Sequence, residues 1–373
     1  MIFVRVDIPS VEAAKTALEE FAACSGLYPN LEKTEIYFGG VGKQVRELIL
    51  AQTDFVEGKF PFRYLGVPLN ASRITIDMYN VLLTRIQSST QHWSSHLLSY
   101  AGKIQLINTI VFGLESYWSA SLLILKGLIK RITKLCKDFF WAGGGNTRMT
   151  FKSWSSICLP WDEGGFGVKE VLSWNKALIA KLLWNLDQGR GGIWTKWVAS
   201  YYLNSCSIWE VSGMVSSSES FKAILAIRDQ LLMCRGTKMA AQDALRACSA
   251  QGRFCTGLAY EMFRRRAVKI NWATSLAAKA VIPCHSIITA LAGQRKLATI
   301  DAICSRGMII INRCALCKCH AESHRHLFFR CLYSTGIWNS LLAWIKLSCR
   351  SNDLLMELHW IRRKKSTKQW KAG

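Results

Sequence analysis

The stretch CALCKCHAESHRHLFFRC, Cys314–Cys331, holds four of the 14 cysteines and three of the seven histidines of the chain. Packing alone does not explain such crowding. Zinc takes four Cys or His ligands in a tetrahedron, and a C-x2-C pair supplies two of them from one tight turn. Cys314 and Cys317 have that spacing, and His326 and Cys331 supply a second pair as H-x4-C. We therefore predict a Cys3His zinc site, closed to water and structural in role.

Other residues of the stretch leave the ligand set open. Cys319, His320 and His324 lie between the two pairs and are candidate substitutes. The alternative is a chance cluster on a polar loop without a metal. If zinc binds, it contributes on the order of 10–16 kcal/mol of apparent binding free energy to the folding of this segment.

The composition indicates a folded, strongly basic protein. The chain has 373 residues, half of them apolar, which is enough for two or three domains. Its 48 Lys and Arg against 25 Asp and Glu give a formal charge of +23. Such an excess of cations favours a polyanionic partner, of which nucleic acid is the first candidate and an anionic membrane surface the second. The alternative is that the charge only keeps the protein soluble. We expect RNA or DNA as partner and no small-molecule substrate.

Cysteine usage and hydropathy indicate an intracellular protein. Most cysteines stand singly in apolar runs, and the N-terminus lacks a signal-peptide pattern. The stretch Leu106–Leu125 has the length of a membrane span, but Glu115 within it costs about 2.5–3.5 kcal/mol on insertion. We predict a buried helix there, no membrane segment, and the nucleus as one candidate compartment.

Hydrophobic periodicity predicts a mainly α fold with a small N-terminal α+β element. Residues 1–6, MIFVRV, and 34–40, TEIYFGG, are predicted strands around a helix that Ser10 caps and Gly26 ends. Most of the 15 tryptophans lie in apolar patterns and are expected in the core. Gly- and Ser-rich segments predict a flexible linker over residues 188–220.

Three basic clusters are candidate phosphate contacts, with a solvated helix face as the alternative for each. The first lies on one amphipathic helix, the second in the segment FRRRAVK and the third in the C-terminal tail. Their members are Lys126, Lys130, Arg131, Lys134 and Lys137; Arg264, Arg265, Arg266 and Lys269; and Arg362, Arg363, Lys364 and Lys365.

Several segments in order resemble one known family. They are SGLYPNLEKTEIYFGGV, FRYLGVPL, HWSSHLLSYAGKIQLINTIV, DFFWAGG, WSSICLPWDEGGFGV, NKALIAKLLWNL, AYEMFR, LATIDAICSRGM and CALC with HLFFRC. Together they resemble the C-terminal half of a LINE-type (non-LTR) retrotransposon reverse transcriptase of the kind found in plants. The resemblance implies a palm remnant over residues 1–75 and a helical thumb or connection region over 76–187. The linker over 188–220 then leads to a reverse-transcriptase zinc-binding domain over 221–349 and a basic tail over 350–373.

The sequence departs from this family at the polymerase centre. Nucleotidyl transfer needs carboxylates that hold two Mg²⁺ ions, which the family supplies from an Asp-Asp turn. No Asp-Asp pair occurs in this sequence, and we assign no catalytic residue. We expect a truncated, non-catalytic piece that binds nucleic acid. The alternatives are a decayed element without selected function and a protein-interaction module on exposed helices.

Overall fold

The computed structural model describes residues 1–30, 32–53, 55–70, 75–92, 98–121, 124–141, 152–190, 192–204, 206–212, 217–276, 281–307, 311–346 and 353–359. These form two compact units, Met1–Asn80 and Val81–Gly373. Helices dominate, as the periodicity predicts, and the three pairs of strands are short.

The first unit combines two helices with two small strand pairs. Strand β1 pairs in parallel with β2, and β3 pairs antiparallel with β4 in a hairpin that places Phe62 opposite Leu69. The elements are α1 (Ile8–Ser25), β1 (Glu35–Ile36), α2 (Lys43–Gln52), β2 (Val56–Glu57), β3 (Phe62–Tyr64), β4 (Val67–Leu69) and a 3₁₀ turn at Ile76–Tyr79.

The start of this unit differs from the sequence prediction. Residues 1–6 form no strand in the structure, and the predicted strand at 34–40 is reduced to Glu35–Ile36. Helix α1 is capped by Asp7 rather than Ser10: the Asp7 Oδ1 atom accepts the Ser10 backbone N–H at 2.9 Å. An aspartate offers the stronger charged acceptor at this position. Gly26 ends the helix in the left-handed region at φ +73°, as predicted.

Helices also dominate the described residues of the second unit. It comprises α3 (Asn80–His92), α4 (Tyr100–Leu106), α5 (Phe112–Ser121), α6 (Lys126–Trp141), α7 (Trp154–Ile157), α8 (Val171–Asp187), α9 (Ile193–Val198), α10 (Glu219–Arg235), α11 (Lys238–Arg246), β5 (Ser249–Ala250), β6 (Arg253–Phe254), α12 (Thr256–Phe263), α13 (Ala273–Leu276), α14 (Pro283–Gly293), α15 (Ile300–Cys304) and α16 (Leu332–Trp344). It also contains three π-helical segments, Ile107–Val111, Ala199–Leu203 and His326–Arg330, and a 3₁₀ turn at Trp161–Glu163.

Helix α8 lies at the centre of this unit and packs against α10, α12 and α5. Its Ala180 and Leu183 are fully buried with Ile224 of α10 and Leu245 of α11. Burying a Leu or Ile side chain contributes about 1.5–3 kcal/mol, so this cluster is a main source of stability for the unit.

The segment predicted as a flexible linker is folded over its described residues. Leu203, Ile208 and Trp209 are buried in the same core cluster. The Arg228 guanidinium donates to the backbone oxygens of Ile208 at 2.9 Å and of Val211 at 2.5 Å. The Gly and Ser residues that predict a linker are interspersed with large apolar residues, and burial of the apolar residues orders the described part of the segment.

The buried helix predicted over residues 106–125 is confirmed in part: the described chain is helical to Ser121, and four of its apolar side chains lie in the core, whereas Tyr117 is 47% exposed. Ile107, Val111, Phe112 and Trp118 are at most 4% exposed. None of the described helices combines the length and the apolar character that crossing a membrane requires.

A buried ion pair joins the glycine-rich turn after α7 to the end of α12. Arg264 donates to both Glu163 oxygens, at 2.9 and 2.7 Å, and the Ala267 backbone N–H donates to Glu163 Oε2 at 2.8 Å. The two side chains are 10% and 5% exposed. The hydrogen bond from Arg264 is the main cause that holds the pKa of the Glu163 carboxyl below its usual value.

Replacing Arg264 with Met should destabilise the protein by about 3–5 kcal/mol, because the Glu163 carboxylate would stay buried without a counter-charge. Lys269→Met is the matched control, since Lys269 pairs with Asp162 at 3.5 Å and is 77% exposed. That change should cost at most about 1 kcal/mol. Urea unfolding followed by tryptophan fluorescence measures both.

The double variant Glu163→Gln/Arg264→Met should recover part of the loss, because it removes the stranded charge. An Arg264→Met protein as stable as Lys269→Met would contradict the structural role of this pair.

Candidate metal centre

The first pair of candidate ligands comes from a tight turn. The Cys314 backbone N–H donates to the His320 oxygen at 2.8 Å, and the Lys318 N–H donates to the Cys314 oxygen at 2.9 Å. Lys318 closes the turn in the left-handed region, at φ +57°. This backbone pattern presents the Cys314 and Cys317 side chains on the same side.

The second pair is positioned by the π-helical segment His326–Arg330 and by the start of α16. The His326 N–H donates to Ser323 Oγ at 3.2 Å, and the Cys331 N–H donates to the His326 oxygen at 2.8 Å. Cys331 also caps α16, with the Thr335 N–H donating to its backbone oxygen at 2.8 Å. The wider π-helical turn therefore places Cys331 next to His326.

The four predicted ligands converge. One ligand atom each from Cys314, Cys317, His326 and Cys331 lies within 4.8 Å of the others. Cys314 and Cys331 are fully buried and His326 is 8% exposed. A tetrahedral zinc ion with Zn–S distances of about 2.3 Å and Zn–N of about 2.0–2.1 Å sets its ligand atoms about 3.5–3.8 Å apart. The side chains thus fit a metal of this size after a shift of at most about 1 Å.

The surroundings favour the thiolate form of Cys317. The backbone N–H of Cys319 is the largest influence, and hydrogen bonds from the backbone and ring of His320 and from His326 add to it. Together they lower the pKa of the Cys317 thiol to about 5. The thiolate is the form that binds metal, so this ligand is deprotonated at neutral pH.

Two of the three substitute ligands, His324 and Cys319, form hydrogen bonds outside the ligand cluster. His324 accepts the Leu297 N–H at Nε2, at 3.1 Å, and its Nδ1 atom lies 3.2 Å from Thr299 Oγ1. Cys319 Sγ donates to the Cys317 oxygen at 3.0 Å. The His320 ring lies beside the cluster, 5.6 Å from the His326 ring. His320 therefore occupies the shell around the ligands, where such residues orient them.

The loop between the ligand pairs also fastens the centre to α15. Buried Glu322 accepts the Ile300 N–H at 2.9 Å, and Asn312 Oδ1 accepts the Glu322 N–H at 2.8 Å. A carboxylate at a helix N-terminus satisfies an otherwise unpaired donor and complements the helix dipole. Glu322 and His324 could not be identified as anchors from the sequence, because their partners lie 22 and 27 residues away and local spacing does not reveal them.

The basic residues of α6 lie together on its exposed face. Leu128, Ile132 and Cys136 of the same helix are buried. Within the described part of the chain, no ion pair involves the five cations of this α6 face. They are Lys126, Lys130, Arg131, Lys134 and Lys137, and all are exposed.

The second basic cluster is divided. Arg265, Arg266 and Lys269 are exposed, whereas Arg264 differs from the expectation for a phosphate contact because its guanidinium is buried against Glu163. The third cluster, Arg362, Arg363, Lys364 and Lys365, lies outside the described residues. Among the described residues, the members of the predicted clusters that are exposed are therefore the α6 cations and Arg265, Arg266 and Lys269.

The ligand assignment predicts selective loss of metal. The unaltered protein should bind one zinc ion per chain. The Cys314→Ser protein should bind none, because three ligands hold the ion far more weakly than four. Cys319→Ser is the matched control and should retain one zinc, as should His324→Ala. His320→Ala should retain zinc with an affinity about 10–100-fold lower. Native mass spectrometry of the full chain measures the stoichiometry.

If the Cys314→Ser protein retained zinc and the Cys319→Ser protein lost it, this ligand set would be wrong. Cys319 would then be the ligand in place of Cys314.

Two comparisons with known proteins found matches. A family model described as zinc-binding in reverse transcriptase matches residues 254–338, which include all four candidate ligands. A protein of Arabidopsis thaliana named "Putative ribonuclease H protein" is 29% identical over 130 residues, or 35% of this chain. The chain spans only about a fifth of that relative, 21% of its length. Residues 254–338 are thus similar to the zinc-binding segment of reverse transcriptases, and the two matches support a retrotransposon-derived protein.

Proposed function

We propose that this chain is a nucleic-acid-binding part of a LINE-type reverse transcriptase of the plant kind. A structural zinc ion holds its C-terminal module, and exposed cations hold phosphates. The observation that carries the proposal is the convergence of three thiols and one imidazole inside the segment that matches a reverse-transcriptase zinc-binding family.

The donor set favours zinc over other divalent ions. Three thiolates and one imidazole are soft or borderline ligands, and zinc accepts them in a closed tetrahedron. Magnesium and calcium prefer oxygen ligands, and none of the four side chains offers one. Because all four positions come from the protein, the ion stabilises the fold and has no open position for a substrate.

The exposed cations supply the electrostatic part of binding. Each Lys or Arg that neutralises a phosphate releases a counterion, so affinity falls steeply as salt rises. The α6 face offers five such groups on one helix, and Arg265, Arg266 and Lys269 offer a second set. Phosphate contacts of this kind position a nucleic acid without distinguishing its sequence, so RNA and DNA are both proposed partners.

No polymerase step is assigned to this chain. Two-metal nucleotidyl transfer needs neighbouring carboxylates, and the sequence contains no Asp-Asp pair. The proposal is therefore limited to holding a template, primer or target. A module that binds only other proteins would show no salt-dependent affinity for nucleic acid.

Removing two cations from the α6 face should weaken binding and flatten its salt dependence. For Lys130→Gln/Lys134→Gln, the slope of log K against log salt on duplex DNA should fall in magnitude by about 1.8, or 0.9 per lost phosphate contact. Fluorescence anisotropy of a labelled duplex from about 50 to 200 mM salt measures this slope.

Lys222→Gln/Lys238→Gln is the matched control with the same change in net charge. These lysines already pair with Glu219 at 3.5 Å and Glu210 at 2.5 Å, so the slope should change by much less. Equal slopes for both double variants would mean that α6 does not contact the phosphates. A flat salt response of the unaltered protein would contradict the proposed function.

A further inference from the structure

Two aromatic side chains are stacked on the outer surface of α9 and the π-helical segment that follows it. The Trp197 and Tyr201 rings lie 5.3 Å apart with only 11° between their planes. They are 50% and 65% exposed. We call this pair the aromatic platform. The exposure of its rings contrasts with Trp184 and Trp209, which are buried in the core.

The platform is held rigidly from below. Tyr202 contacts both rings edge-on, at 5.8 Å from Trp197 and 4.9 Å from Tyr201. Its own ring stacks on buried Phe221 at 4.2 Å and 10°, and its hydroxyl accepts the Ser218 N–H at 3.2 Å. Rigid aromatic groups lose little conformational entropy when a ligand binds, which favours recognition over a purely structural role.

The charge around the platform suits a polyanion. Residues 188–209 contain no Asp or Glu, and Arg190 and Lys196 are exposed within them. The nearest acids along the chain are engaged elsewhere. Asp187 is 5% exposed and accepts the Trp209 Nε1–H at 2.6 Å, and Glu210 pairs with Lys238.

Lys196 shares the exposed side of α9 with Trp197, and in the part of the chain that the structure describes it forms no ion pair. Arg190 is fixed by a 2.7 Å hydrogen bond from its Nη1 atom to the Gly252 oxygen, which leaves its other donors available. A neutral apolar partner would leave these cations unmatched, whereas nucleic acid supplies both anionic phosphates and aromatic bases.

We infer that the aromatic platform binds unpaired bases of single-stranded nucleic acid, with Lys196 and Arg190 close to the adjoining phosphates. This inference rests on the proposed function and narrows it from nucleic acid in general to single strands at this surface. Every base has a π-face, so stacking gives affinity with little sequence preference. Bases within a duplex are already stacked on each other and cannot use the platform.

The test compares single-stranded and duplex DNA of equal length, both labelled, on the full chain. Trp197→Ala and Tyr201→Ala should each weaken binding of oligo(dT) by at least about fivefold and leave duplex affinity unchanged. Trp197→Phe and Tyr201→Phe should retain most of the affinity, because stacking needs a ring and no polar group. Ile193→Ala, at a residue that is 88% exposed on the same helix, is the matched control and should have no effect.

The aromatic and cationic contributions separate by salt dependence. The alanine variants of the platform should keep the salt slope of the unaltered protein, whereas Lys196→Gln should lower its magnitude by about 0.7 on a single strand. Circular dichroism and zinc content confirm that each variant is folded.

Three outcomes would overturn the inference in distinguishable ways. If the alanine variants bind oligo(dT) as tightly as the unaltered protein, the platform is not a base-binding site and the proposed function stands. If the unaltered protein binds neither DNA form, nor oligo(U), the proposed function fails with it. If the alanine variants abolish a dimer seen by sedimentation without changing DNA affinity, the platform is an interface between copies of this chain.

Discussion

Convergence of three thiols and one imidazole on one point is the constraint on which the C-terminal part of this protein depends. It joins the turn at Cys314 to the π-helical segment that begins at His326 and to the start of α16. The loop between them then reaches α15 through Glu322 and the residues before it through His324. Among the described residues 311–331, the buried side chains are Cys314, Glu322, His326 and Cys331, and no large apolar side chain is buried. Without a metal, this segment would therefore have no apolar core of its own to stabilise it.

Part of this arrangement could be predicted from the sequence because it is local. C-x2-C and H-x4-C spacings report geometry within one turn, and the four ligands they indicate do converge. The amphipathic pattern of α6 likewise separates buried Leu128 and Ile132 from the exposed cations. Gly26 ends α1 as predicted, because its left-handed conformation is a property of the residue itself.

The remainder could not be predicted, because it depends on partners far away in the sequence. Arg264 resembles its neighbours in FRRRAVK, but its guanidinium is buried against Glu163, which lies 101 residues earlier in the chain. The Gly- and Ser-rich residues before α10 suggest a linker, yet Ile208 and Trp209 pack against α10 and α8. Strands predicted at the N-terminus are shortened or missing, since strand pairing requires a neighbour that local preference does not specify.

The residues that stabilise the fold differ from the residues that are exposed to a partner. Buried charges such as Glu163 with Arg264 and buried thiols such as Cys331 act within the protein. The cations of α6 and the aromatic platform are exposed, and we propose that they contact the phosphates and the bases of a nucleic acid. The proposed metal would thus stabilise the module, while the proposed binding would use other surfaces of the same unit.

Amide hydrogen exchange of the full chain, with zinc bound and after chelation, tests the role of the metal most directly. Removal of zinc should speed exchange over residues 311–331 and at the Leu297 and Ile300 amides, which donate to His324 and Glu322. Amides in α8 and α10, which belong to the separate apolar core, should keep their protection. Unchanged exchange over 311–331 after complete removal of zinc would contradict the central claim that the metal holds this module in its fold.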